Sequence, residues 1–186
     1  MPAPQTPLTA QSMAQLTARL TVIQADYANP VHAASVVSLL DAYAQDPAGG
    51  GKPLSDFVRS NLIAQLALRP QVFSVLAFDT SNGPDLTADK AVGLANCIEG
   101  FSTFACRPLV NVHDLAVLPS HRGQRVGEQL LAKVEEIARQ RGACKVTLEV
   151  LSGNQSANRL YQRVGFAGYQ LDPAMGHAQF LQKWLD

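Results

Sequence analysis

Cysteine is scarce. Cys97, Cys106 and Cys144 are the only three in 186 residues, an odd number with no C-x-x-C pair. That spacing speaks against a disulfide framework, a zinc ribbon or a thioredoxin-type site, and it makes reduced thiols and a cytoplasmic location the expectation. Charge is sparse too, at 16% Asp, Glu, Lys and Arg against about 25% in ordinary soluble domains, so the chain lacks the composition of a disordered protein. Neither sign is in excess: fifteen basic residues balance fifteen acidic ones, which argues against nucleic acid as a partner. No long apolar run is present, so no membrane-spanning helix is expected. The opening MPAPQTPLTAQS has no basic segment followed by an apolar one, so a secretory leader is not expected. His32, His113, His121 and His177 show no i, i+4 or HExxH spacing, and no metal is expected.

What the chain does have is apolar content, 47%, enough for a substantial core. At roughly 150 residues per domain the length predicts one domain, over residues 16–186, behind a Pro-, Thr- and Gln-rich tail at 1–15. Strands are predicted at 18–24, 72–78, 92–98, 109–117, 145–151, 166–169 and 179–184, from apolar runs bounded by turn residues. Asn29-Pro30 opens a helix over 31–44, and Ser55 caps another over 56–68. Val126, Leu130, Leu131, Val134, Ile137 and Ala138 keep helical spacing within a long helix over 123–141, closed by Gly142. A short helix follows over 155–164. The order is β-α-α-β-β-β-α-β-α-β-β.

The strand-to-helix junction Ser120-His121-Arg122-Gly123-Gln124-Arg125-Val126-Gly127 carries the sharpest chemical signal. A glycine-bearing loop opening a helix leaves N–H groups at the positive end of the helix dipole, a cradle for phosphate oxygens. It is neither a Walker A loop nor a G-x-G-x-x-G dinucleotide loop, and by itself a plain strand-to-helix turn reads equally well. Residues 121–163 hold eight Lys and Arg against four Glu, a net +4 that the rest of the chain offsets, which reads either as solvated surface charge or as a region that holds a polyanion.

With the strand Asp114-Leu115-Ala116-Val117 ahead of it, the junction resembles the acyl-CoA loop of the Gcn5-related N-acetyltransferase superfamily, [Q/R]-x-x-G-x-[G/A]. Arg122 and Gly127 match its first and last positions; Arg125 stands where the middle glycine falls. Further on, Asn154-Gln155-Ser156-Ala157-Asn158-Arg159-Leu160-Tyr161-Gln162-Arg163-Val164-Gly165-Phe166 is similar to the family's N-x-x-A-x-x-L-Y-x-x-x-G-F. Phe101-Ser102-Thr103-Phe104, Arg107-Pro108 and Asp114-Leu115-x-Val117 resemble the polyamine (spermidine/spermine-type) branch, with His113 where those members carry a Glu. The likeness is specific over residues 92–169 and generic before them.

The resemblance implies an α/β (α+β) fold: a single domain with a mixed, mostly antiparallel sheet of six to seven strands, splayed at its centre, and about four helices. It implies acetyl-CoA as co-substrate and a small-molecule amine as acceptor, joined in a ternary complex with no acyl-enzyme. Backbone groups of Leu115, Ala116 and Val117 would pair with the pantetheine arm. The N–H groups of Arg122, Gly123, Gln124, Arg125, Val126 and Gly127 would meet the pyrophosphate, with Arg163, Asn154 and Asn158 as further cofactor contacts. Tyr161 is the implied general acid for the leaving thiolate. His113 is a candidate base, since an imidazole titrates near 6.5; adjacent strand residues face opposite ways, so Asp114 is not expected to join it. Packing roles remain open for Tyr161 and His113. Glu99 reads either as a substrate contact or as an exposed edge carboxylate. A non-catalytic acyl-CoA sensor and a protein N-terminal or lysine acetyltransferase are the rival readings, and a homodimer is compatible with the family.

Overall fold

The computed structural model describes residues 19–169, 172, 174, 176 and 178–185. They fall into two compact units, one ending at Thr147 and one beginning at Leu148. The tail at 1–15 and His177 lie outside the described residues.

In the first unit, β1 (Leu20–Gln24) leads through α1 (Pro30–Gln45) and α2 (Asp56–Ala67) to β2 (Val72–Asp79), β3 (Ala91–Ser102) and β4 (Arg107–Val117). Helix α3 (Val126–Gln140) follows, and β5 (Val146–Leu148) reaches the unit boundary. The sheet order is β1-β2-β3-β4-β5. The first four strands pair antiparallel with their sequence neighbours. Strand β5 joins β4 with both chains advancing together: Cys144 N–H donates to Pro108 O and Val110 N–H to Lys145 O, as in a parallel pair. Among the described residues the sheet is therefore mixed, with five strands rather than six to seven.

The two strands expected at 166–169 and 179–184 do not form. Phe166 is diverted: its N–H donates to Tyr161 O at 2.9 Å, closing a helix end, and its ring packs edge-on to that of Tyr161. Phe180, Leu181, Trp184 and Leu185 are all exposed, so the alternation that would mark a half-buried strand is missing.

Local chemistry explains the helices. Asn29 accepts from the N–H groups of Val31 and His32, and Pro30 needs no donor partner in the first turn. Ser55 caps α2 through Val58 N–H. Helix α3 buries Val126, Gly127, Leu130, Leu131, Val134, Ile137 and Ala138, a stripe of helical period. Gly142, at φ 72°, turns the chain out of that helix, with Ala143 N–H reaching Ala138 O. On another part of the sheet, Leu76, Phe78, Leu94 and Ala116 pack with Val36 and Leu39 of α1.

One glycine sets how closely α3 approaches the sheet. A Cβ on Gly93 would stand 2.9 Å from Val126 Cγ1 and 3.0 Å from Leu130 Cδ1. The helix therefore rests on bare backbone, and its first residue is fixed against β3. We predict that Gly93→Ala lowers stability by about 1–3 kcal/mol through overpacking, seen as a lower urea midpoint with an unchanged slope.

Candidate acyl-CoA site

The junction between β4 and α3 is held from outside. After a 3-10 turn at Pro119–His121, Arg122 donates from Nε to Val117 O at 3.1 Å and from Nη2 to Asp46 Oδ2 at 2.7 Å, beyond the end of α1. His121 Nε2 lies 3.3 Å from Asp79 Oδ2 at the end of β2, and its Nδ1 is 2.9 Å from Ser120 Oγ. Gln124 Nε2 donates to Ser120 O. Two carboxylates thus anchor the loop, and both sit below the usual carboxylate range. For Asp46 the main cause is the Ala48 N–H, then the Arg122 hydrogen bond; for Asp79 it is the Ser81 N–H.

The backbone N–H of Arg122 donates to Pro119 O and its guanidinium ties the loop down. The helix itself starts at Val126, three residues later than expected from sequence. Gly123 (φ 77°) and Arg125 (φ 61°) are both left-handed, and these two turns keep residues 123–125 out of the helix. The first backbone bond of the α3 ladder runs from Gln129 N–H to Arg125 O. Val126, Gly127 and Glu128 therefore precede the ladder, and Arg125 supplies no side-chain cap. Nothing lies within 4 Å of a Cβ built on Gly123. Arg125 thus holds a left-handed backbone that favours glycine, where a non-glycine residue is strained by about 1–2 kcal/mol. Its guanidinium stands 3.6 Å from Glu128 Oε2.

Strand β4 presents one edge to this junction. Leu118 N–H bonds Val92 O across β3, and Gly93 pairs with Val117, Ala95 with Leu115. Antiparallel alternation then turns the N–H and C=O of Val117 and Leu115 away from β3, while those of Ala116 belong to the ladder. Ala116 pairs with Leu94 and its side chain is buried in the core. Strand β5 is three residues long against eleven in β4 and lies beside its beginning, so it cannot cover the far end.

A β-bulge changes the reading of His113. Asp114 pairs with Asn96 and Val112 with Cys97, leaving His113 as the extra residue. The alternation expected from sequence breaks there, and the two side chains meet: His113 Nδ1 is 3.5 Å from Asp114 Oδ1. His113 is exposed and Asp114 largely covered. Asp114 Oδ2 accepts from Asn96 Nδ2 at 3.0 Å, and Ser74 Oγ donates to Asn96 Oδ1 at 2.6 Å. Sequence reasoning missed Ser74, Asn96 and Tyr27; a polar Ser inside VFSVLAF was the available signal.

Glu99 is part-buried and paired. It binds Arg141 at 3.0 Å, and Arg141 also lies over the Phe73 ring. Burial pushes the Cys97 thiol up to about 12, so it stays protonated and is a poor nucleophile. Phe101 and Phe104 are exposed near the β3–β4 turn.

The second unit holds α4 (Gln155–Arg163). Asn154 caps it by accepting from Ala157 N–H at 3.1 Å, and Asn158 Nδ2 donates to Leu151 O and Asn154 O. Both asparagines therefore shape the turn into the helix. Tyr161 packs on Phe166, and Gly165 (φ 95°) ends the helix.

With this geometry in view, the family follows. Residues 39–166 match the acetyltransferase (GNAT) family, and the chain belongs to it. A streptothricin acetyltransferase of Streptomyces lavendulae is 36% identical over 88 residues, 46% of this chain and 47% of that protein. An aminoalkylphosphonate N-acetyltransferase of Salmonella typhimurium is 36% identical over 77 residues, 41% of this chain and 50% of that protein. A thialysine N-epsilon-acetyltransferase of Sus scrofa is 35% identical over 60% of this chain and 68% of its own length. The match spans only about half of the first two relatives. Among solved structures, a probable acetyltransferase superposes with a TM-score of 0.71 at 19% identity, over 89% of this chain and 99% of that one. That likeness is one of fold.

Two predictions follow from the loop. Arg125→Gly removes the left-handed strain and raises stability by about 1 kcal/mol, measured by urea unfolding. The second concerns Asp46, whose folded pKa is lowered. Its contribution is full above the unfolded value near 3.9 and is lost as pH falls through the folded value. The stability gap between wild type and Asp46→Asn is therefore widest at neutral pH and closes in acid.

Proposed function

We propose that the protein transfers an acetyl group from acetyl-CoA to a primary amine of a small molecule, directly within a ternary complex. The observation that carries this is the start of α3: a helix N-terminus without a side-chain cap, beside an open Gly123, latched to Asp46 and Asp79. Aligned N–H groups at a helix start favour phosphate oxygens, so the donor set fits the coenzyme's pyrophosphate. Gly123, Gln124, Arg125, Val126 and Gly127 form that cradle, with Arg122 fastening it.

Acetyl-CoA supplies a thioester already activated for transfer. The outward N–H groups of Leu115 and Val117 fit the pantetheine arm, and one of them is the oxyanion donor. Such donors are worth about 2.7–4 kcal/mol in the transition state. His113 takes the proton of the amine. Tyr161 protonates the departing thiolate, with Arg163 a further coenzyme contact; both assignments rest on the likeness of residues 154–166 to the family's motif. Residues 16–186 would work as a single acyl-CoA N-acyltransferase domain. Relatives named for streptothricin, aminoalkylphosphonate and thialysine support an amine acceptor.

Release of free CoA thiol with a panel of small amines tests the reading. Tight acetyl-CoA binding without turnover would assign a sensor, and a mass shift on protein alone would assign a protein acetyltransferase. Tyr161→Phe is expected to lower kcat about 10²-fold with acetyl-CoA affinity retained. A variant with Cys97→Ala, Cys106→Ser and Cys144→Ser keeps full activity if transfer is direct; loss traced to Cys106 alone would require an acyl-enzyme.

A further inference from the structure

Building on the reading of His113 as the base, we infer that Asp114 is a positioning residue that fixes the tautomer of His113, and that a polar chain through Asn96, Ser74 and Tyr27 holds Asp114 for that purpose. The chain crosses three strands. Tyr27 OH, from the loop between β1 and α1, is 2.9 Å from Ser74 Oγ on β2. Ser74 donates to Asn96 Oδ1 on β3 at 2.6 Å, and Asn96 Nδ2 donates to Asp114 Oδ2 on β4 at 3.0 Å. Ser74 is fully buried and Asn96 is 8% exposed.

Valence gives this chain a single direction. A carboxylate only accepts, so the group of Asn96 that faces it must be the amide NH₂. The Asn96 oxygen then faces Ser74, which must donate. Ser74 has one hydroxyl proton, already committed, so Tyr27 must donate to Ser74. Burial raises the Tyr27 phenol above its ordinary value, consistent with a neutral donor. Every donor in the row therefore points toward the charge on Asp114.

The remaining oxygen of Asp114 faces His113 Nδ1 at 3.5 Å. The same rule applies: facing an acceptor, Nδ1 carries the proton, and Nε2 is left with the lone pair a base needs. The contact is longer than a formed hydrogen bond, as such pairs often are before substrate binds. The bulge at His113 is what brings the ring to Asp114. Without it, the pleat would place the two on opposite faces.

The test reads the ring directly by ¹⁵N NMR of the full chain, with the His113 signals identified by their loss in His113→Gln. Wild type is expected to show a protonated Nδ1 and a bare Nε2 in the neutral ring. Asp114→Asn replaces an acceptor by an amide able to donate, so the tautomer reverses. With it kcat falls about 10²-fold, while KM for acetyl-CoA changes by less than about twofold. Should Asp114→Asn not fold, Ser74→Ala serves instead, because it removes the donor to Asn96 Oδ1; a partial loss of the Nδ1-protonated form is expected. A wild-type ring protonated at Nε2, or a tautomer ratio that neither variant moves, would overturn the inference. Absence of turnover with every amine would overturn the proposed function instead, and the ring spectrum would still decide this point.

Discussion

The seating of α3 on β3 at Gly93 is the constraint on which the rest depends. A helix N-terminus is useful to a ligand only if its position is defined to a fraction of an ångström. Here the first buried residue, Val126, rests against backbone with no side chain between. That contact fixes one end of the loop, and β4 fixes the other, through a register with β3 that continues to Val117. The loop between them is short and turns through two left-handed residues. The Arg122–Asp46 salt bridge and the His121–Asp79 contact then hold it. Stability and site share one architecture: the packing that buries the α3 stripe also aims its dipole.

Much of this was legible in the residues. The α3 stripe, the Asn29 and Ser55 caps and the largely apolar run of β2 each follow from a local rule that tertiary structure did not override. The loop was legible as a strand-to-helix junction, from Gly123 ahead of the amphipathic stripe. Its exact start was not, because Arg125 hides a left-handed turn behind a side chain that ordinarily avoids one. The last two strands failed for a different reason. Apolar composition at 166–169 and 179–184 says that a segment can pack, but does not say on what, and Phe166 packs on Tyr161.

The cluster around Asp114 left one trace in the sequence, the polar Ser74 inside VFSVLAF. Its members are far apart in the chain, and antiparallel pairing alone brings Ser74, Asn96 and Asp114 side by side across three strands. The bulge is likewise a property of two strands together. Nothing in VNVHDLAV announces which residue will be skipped. Glu99 shows the converse, a carboxylate that looked available and is committed to Arg141.

The skipped residue has a consequence for comparing this chain with its relatives. From Asp114 onward β4 is shifted in phase by one position, so odd and even places exchange surfaces at that point. A homologue without the extra residue would carry residues of one parity on the same face of the sheet along the whole strand. Aligning such a pair without a gap would match positions on the α1 face to positions on the α3 face, and apparent divergence there would record the offset alone.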